Sequence, residues 1–253
     1  MRFFLIRRNI NLFLITVFFI LFSACNKENC FDCLKSTGKI ITEDRKPGDF
    51  NSIEIHGIFN VYITQDSVCR ISIEGGKNLL PKITTECNHN TLIIENNNYC
   101  NWVRSFDKEI NVYISVSTLE ELDLYAYNEV FSTNTLIMDT IDIEIHTNAA
   151  KLDLTMNCSM SLIHIHAATG DYYLRGSTEH NYIYSCGFGY VFAADFSAKI
   201  AHVVNKSTGD VYVNATEQLW IEKIDGGDVY YTGNPPVILL PEDALNGKLL
   251  PIN

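Results

Sequence analysis

The fold is decided by residues 170–231, where four segments open alike: Gly170-Asp171-Tyr172-Tyr173-Leu174, Gly189-Tyr190-Val191-Phe192-Ala193, Gly209-Asp210-Val211-Tyr212-Val213 and Gly227-Asp228-Val229-Tyr230-Tyr231. Their glycines stand 19, 20 and 18 residues apart, and Ala150-Lys151 and Asn128-Glu129 extend the series upstream. After each turn the residues alternate. That sends Leu152, Tyr172, Val191, Val211 and Val229 inward, followed by Leu154, Leu174, Ala193, Val213 and Tyr231. A period near 20 built of short β segments is one coil of a parallel solenoid, because each coil buries its apolar side only by stacking on its neighbours. An antiparallel meander would use two-residue Asn-Gly hairpin turns, and the repeat has none. The expected fold class is therefore all-β: a parallel β-solenoid, or β-helix, with about 20 residues per coil and an N-terminal β-rich portion. Pro235-Pro236, which cannot donate to a further coil, is expected to end the ladder.

Upstream, β-rich runs at Ser52–His56, Val61–Thr64, Arg70–Glu74, Leu92–Glu95 and Glu109–Val116 are separated by Asn, Asp and Gly. Lys77–Ile83 has a trace of helical period, but Pro81 argues against a stable helix. The 253 residues, 47% of them hydrophobic, suffice for a sizeable core.

The N-terminus carries Arg2, Arg7 and Arg8, then the apolar run Leu12–Phe22, then Ser23 and Ala24 before Cys25. This is the basic, apolar and small-residue sequence of a secretory signal, with an apolar run well short of the roughly 20 residues a spanning helix needs. Phe22-Ser23-Ala24-Cys25 resembles a bacterial lipobox, which implies cleavage after residue 24 and palmitate-type acylation of Cys25. Asn26, in place of Asp, implies outer-membrane delivery, and Lys27-Glu28 resembles the tether of a surface-exposed lipoprotein, favouring surface over periplasm. The expected organisation is a lipoprotein signal peptide at 1–24, a lipidated tether at 25–49, a solenoid domain at 50–240 and a tail at 241–253.

Lipidation leaves seven cysteines: Cys30, Cys33, Cys69, Cys87, Cys100, Cys158 and Cys186. An odd number requires a free thiol or an intermolecular bond. Cys30-Phe31-Asp32-Cys33 has redox spacing but no strand before it and no helix behind it to depress a thiolate pKa. A staple from Cys33 to Cys100 is the favoured pairing, and Cys158 and Cys186 read as small buried residues. Losing the leader moves the net charge from −11 to −14, which repels phosphate backbones, so no nucleic acid is expected.

Two constellations stand out in the coils. Phe131, Asp153, Tyr173, Phe192, Tyr212 and Tyr230 follow their turns on the face opposite the inward valines. Stacking aligns them in a column at about 4.8 Å per step. Phe131, Tyr173, Phe192, Tyr212 and Tyr230 are the candidate binding residues, as a strip for sugar rings or a partner. The simpler reading, a ladder that only stabilises adjacent strands or lies beneath the N-terminal segment, is preferred. In the second, Ile141, Ile143 and Ile145 point inward and Asp142, Glu144 and His146 outward, while Ile163 and Ile165 leave His164 and His166 outward. Stacking brings Glu144 to His164 and His146 to His166, a two-histidine, one-carboxylate metal patch, against the preferred reading of a solvated polar face. No metal or other cofactor is expected. Asp171, Asp210 and Asp228 after glycine suit turn chemistry better than calcium. Trp102 and Trp220 read as scattered rather than stacked, with Trp102 in a packing role.

Phe50-Asn51-Ser52-Ile53-Glu54-Ile55, Asn60-Val61-Tyr62-Ile63-Thr64-Gln65, Asn78-Leu79-Leu80-Pro81-Lys82-Ile83, Cys100-Asn101-Trp102-Val103-Arg104 and Gly227 to Pro235 resemble the head GIN domain family of putative auto-transporter adhesins. The resemblance spans about Cys33 to Ile238 and implies an envelope lipoprotein with a β-solenoid-like fold and no established activity. The coils depart from the family's Ser-Gly-Ser-Gly-Asp turns, reading Asn148-Ala149-Ala150, Ala168-Thr169-Gly170 and Gly187-Phe188-Gly189. No nucleophile elbow, metalloprotease helix, phosphate loop or dinucleotide fingerprint is present. The leading expectation is a non-catalytic, lipid-anchored binding or adhesion module for a glycan or an envelope or cell-surface partner. The alternatives are a self-associating structural envelope protein, as a homo-oligomer, and a polysaccharide-acting enzyme on the same scaffold.

Overall fold

The computed structural model describes residues 36–98, 109–126, 128–146, 151–241 and 246–252. The leader at 1–24, Cys25, Asn26, Lys27-Glu28, Cys30, Cys33, Cys100, Trp102 and the turn Asn148-Ala149-Ala150 lie outside the described residues. In chain order the strands are β1 (Ile40–Arg45), β2 (Ser52–His56), β3 (Asn60–Gln65), β4 (Arg70–Gly76), β5 (Ile83–Asn88), β6 (Thr91–Asn96), β7 (Asn111–Val116), β8 (Glu121–Ala126) and β9 (Glu129–Ser132). They continue as β10 (Leu136–Ile137), β11 (Thr140–Ile145), β12 (Lys151–Ala168), β13 (Asp171–Gly187), β14 (Tyr190–Ser207), β15 (Val211–Ile224), β16 (Val229–Thr232), β17 (Val237–Leu239) and β18 (Leu249–Pro251). The residues around Pro81 form only a single 3-10 turn, Leu80–Lys82.

The chain is a nearly all-β solenoid with about six turns roughly 20 residues apart. Two parallel ladders run its length. One, the histidine face, stacks β6, β2, β8, β11, the second halves of β12 to β15, and β17. The other, the aromatic face, stacks β7, β3, β9, the first halves of β12 to β15, β16 and β18. Strands as long as β12 to β15 serve both ladders by bending at a corner; Gly176, at φ +107°, sits at one such bend. Between the ladders lies one apolar core in which Leu152, Leu154, Tyr172, Leu174, Val191, Ala193, Val211, Val213 and Val229 are fully buried. Tyr231 packs against this core while staying partly exposed.

The turn glycines have a packing reason. A Cβ on Gly209 would lie 1.9 Å from the Gly189 carbonyl oxygen, and one on Gly227 would lie 2.1 Å from that of Gly209. Successive coils stack backbone on backbone at this corner, leaving no room for a side chain. The aspartates beside them tie coil to coil. Asp210 Oδ1 accepts the Asp228 N–H at 2.8 Å, and Asp228 Oδ1 accepts the Lys248 N–H at the same distance. Both carboxylates thus accept from the next coil rather than from their own turn.

Several features differ from expectation. Pro235-Pro236 does not end the ladder: the prolines lie in the corner between β16 and β17, where no ladder donor is needed, and β17 and β18 add a further coil. Cys158 and Cys186 are free thiols that are only half-buried, as are Cys69 and Cys87. Cys69, Cys87 and Cys158 pack one flank against the core and leave the other open to the surface.

Chain order also departs from stacking order at the N-terminal end. The coil β2–β3 lies between the coil β6–β7 and the coil β8–β9. Antiparallel strands close that end: β4 on β7, β1 on β4, and the hairpin β5–β6, whose turn places His89 and Asn90 at φ +48° and +65°. Two consecutive positive φ values suit the right-handed twist of a two-residue hairpin. Leu79, Leu80, Ile83 and Ile110 cover the core beneath this cap, and Arg45 donates to the carbonyls of Leu80 and Ile83.

Candidate functional site

On the aromatic face, parallel in-register pairing stacks like on like. Ring centroids lie 4.8 Å apart for Tyr173–Phe192, 5.3 Å for Phe192–Tyr212 and 4.8 Å for Tyr212–Tyr230, all near parallel. The column also runs upstream through residues the sequence reading passed over: Phe131 stacks on Tyr62 at 5.7 Å, and Tyr62 on Tyr113 at 5.1 Å. The signal was present in Val61-Tyr62 and Val112-Tyr113, but only the tertiary pairing of β3 with β7 and β9 aligns them with the later coils. Asp153 interrupts the rings between Phe131 and Tyr173. Lys151 fills the gap, its Nζ 5.3 Å from the Phe131 centroid and 5.4 Å from that of Tyr173, and Asp153 pairs with both Lys151 and Arg175.

Because each ring spends its faces on its neighbours, the column shows ring edges to solvent. A sugar that needs a ring face to stack on finds none along Tyr173, Phe192 and Tyr212. Beside them lies an open groove of about 340 Å³ lined by Tyr173, Phe192 and Tyr212 with Arg175, Ala194 and Asp195, which pairs apolar edges with one charge of each sign.

The histidine face carries the second constellation. Glu144 lies opposite His164 in the β11–β12 register. Its Oε1 is 2.7 Å from His164 Nδ1 and its Oε2 is 2.6 Å from His166 Nε2 and 4.0 Å from His146 Nε2. The His146 and His166 rings stack at 5.0 Å. Tyr125 stacks on His146 at 4.6 Å and on His56 at 4.4 Å, so aromatic packing clamps the pair from below. Acids gather beneath. Burial first, then Glu121, Glu54, Glu144 and Asp142, push the Asp123 carboxyl up to about 6. Asp123 buries an oxygen, Oδ1, that has no hydrogen-bond partner, while Asp142 Oδ1 lies 3.4 Å from His164 Nδ1.

Further along this face Trp220 is not a scattered residue. Pairing of β14 with β15 sets it over His202, rings 3.8 Å apart and parallel, with 40% of Trp220 exposed. Tyr182 meets both His202 and His164 edge-on, and a second open groove, about 300 Å³, runs beside Tyr182, His202 and Trp220. No helix among the described residues is long and apolar enough to cross a membrane.

The family model for the putative auto-transporter adhesin, head GIN domain, matches residues 49–235. The chain belongs to this family. Membership of the head GIN family makes it adhesin-like and points to the cell surface or envelope. Solved structures share the fold. A putative adhesin from Bacteroides fragilis superposes with a TM-score of 0.71 at 24% identity, covering 85% of this chain and 97% of that one. A putative lipid binding protein from Parabacteroides distasonis gives 0.59 at 16%, covering 86% and 98%. A putative adhesin from Parabacteroides merdae gives 0.56 at 17%, also covering 86% and 98%. No curated protein matches the chain.

Proposed function

We propose that this head GIN protein is a non-catalytic adhesion module, held at the outer membrane by lipid on Cys25, that binds a glycan or cell-surface protein along its aromatic face. The observation that carries the reading is the groove at Tyr173, Phe192 and Tyr212. It is open to solvent, continuous with a column of rings and flanked by Arg175 and Asp195. Contiguous apolar surface with a few polar groups at its rim is the usual composition of a recognition site. Since ring faces are occupied, the ligand lies across ring edges and is oriented by the two charges.

The test is binding of the mature chain to a glycan array and to intact cells. Asp195→Lys, at an exposed position, should abolish a signal that the parent gives. Equal binding by this variant and the parent would remove the groove from consideration. Mass spectrometry of envelope-extracted protein checks acylation of Cys25, and protease added to intact cells reports the side of the membrane.

A second reading has its own observation. Val237, Ile238, Leu239 and Leu240 are exposed at the open end of the solenoid. An apolar edge strand is a template for pairing with another chain, which supports a self-associating structural role. Sedimentation over a range of concentrations, with Ile238→Lys as the control, separates the two.

A further inference from the structure

We propose that the histidine face holds a divalent transition-metal ion of the zinc class, ligated by Glu144, His146 and His166. The ligand atoms of these three side chains all lie within 4.8 Å of one another. Glu144 lies in β11, His166 in the neighbouring β12, and His146 directly follows β11 with its N–H held by the Leu124 carbonyl at 2.9 Å, so hydrogen-bonded backbone sets the spacing of all three. A tetrahedral zinc with bonds of about 2.0–2.2 Å holds its ligand atoms about 3.3–3.5 Å apart. The pair at 2.6 Å therefore opens as a proton gives way to metal, the pair at 4.0 Å closes, and the two near-parallel imidazoles tilt toward each other so that their in-plane nitrogen lone pairs meet at the ion.

Three further features favour a cation here. Glu144 uses its other oxygen to bind His164 Nδ1, and Asp142 Oδ1 lies 3.4 Å from the same nitrogen, so the ligating carboxylate is already oriented from behind. The acids Glu54, Glu121, Asp123 and Asp142 crowd the rungs around Glu144. The buried Oδ1 of Asp123 has no hydrogen bond, an excess of negative charge that a cation relieves. Imidazole with carboxylate selects zinc, copper or nickel over calcium and magnesium, which prefer oxygen alone. The His166 side chain is 45% exposed and Glu144 26%. The ion thus has an entry path and keeps a coordination position open to water or to an oxygen of a bound partner.

The experiment uses the mature chain without a histidine tag, stripped with chelator. Zinc is added in a calorimeter, and Co²⁺ absorption serves as a second readout. The expected result is one ion per chain with a tetrahedral or five-coordinate Co²⁺ spectrum. His146→Gln and His166→Gln should each weaken binding at least tenfold, and the double variant should abolish it. His164→Gln, which removes the group behind Glu144, should weaken it about 10-fold or more. His202→Gln, on the same face but beside Glu222 and Trp220, should leave it unchanged. Melting curves in chelator confirm that each variant is folded. Absence of both heat and Co²⁺ bands in the parent overturns the proposal. So does zinc binding that survives intact in the folded double variant, because the ion would then sit elsewhere.

Discussion

The position a Cβ would take on Gly209 lies 1.9 Å from the carbonyl oxygen of Gly189, one coil away. The 20-residue glycine repeat is thus imposed by the stacking distance of parallel strands at a corner where two backbones touch. Gly209→Ala must push the coils apart or shift the turn. It should lower stability by about 2–3 kcal/mol in urea denaturation. A change below 0.5 kcal/mol would mean the corner gives way freely, and the packing account of the repeat would fail.

Asp210 and Asp228, each beside a turn glycine, act between coils. Asp228→Ala removes the acceptor for the Lys248 N–H and should cost about 1 kcal/mol. Asp228→Asn keeps an oxygen at that place and should restore most of the loss. If Asn were as damaging as Ala, charge rather than the hydrogen bond would be the operative property.

Stacked rings on the aromatic face should be coupled energetically. A double-mutant cycle of Phe192→Ala with Tyr212→Ala should return a coupling of about 0.5–1.5 kcal/mol. Tyr190, 42% exposed and 6.2 Å from Phe192, should lose under about 0.5 kcal/mol on truncation to Ala.

Asp123 gives the solenoid a pH dependence of predictable sign. Its folded-state pKa is raised to about 6 from 3.8, so the folded chain holds the proton more tightly than the unfolded one. The stabilising effect is complete below the unfolded value and is lost as pH rises from about 4 through about 6. In chelator, the melting temperature should therefore fall over this window. Asp123→Asn should flatten that part of the fall, raising stability at pH 7.5 by about 1–2 kcal/mol once solvent screening is allowed for. A variant that melts lower than the parent at pH 7.5 would contradict the burial of charge at this rung.

Much of the architecture was legible before any coordinates. Alternation named the buried residues from Leu152 to Val229, and the coil period paired Glu144 with His164 and Tyr173 with Phe192. Both follow from local arithmetic, a side-chain period of two and a coil period near 20, once the strands stack parallel and in register. Trp220 against His202 was not legible, because irregular register between β14 and β15 breaks that arithmetic. Nor were Tyr62 and Tyr113, whose place in the column depends on a coil stacked out of chain order.

The sequence by itself determined the solenoid, its inward residues and the identity of each rung, since each depends only on spacing along the chain. The tertiary structure decided the rest. It set β2–β3 between later coils, carried the ladder past Pro235-Pro236, and turned the aromatic column edge-on so that its ring faces are closed to ligands. It also divided the oxygens of Glu144, which the coil period already sets beside the histidines, giving one to His164 and the other to His166. These outcomes depend on which distant segments share hydrogen bonds and how their side chains fill the space between coils, and no local pattern in the chain encodes either.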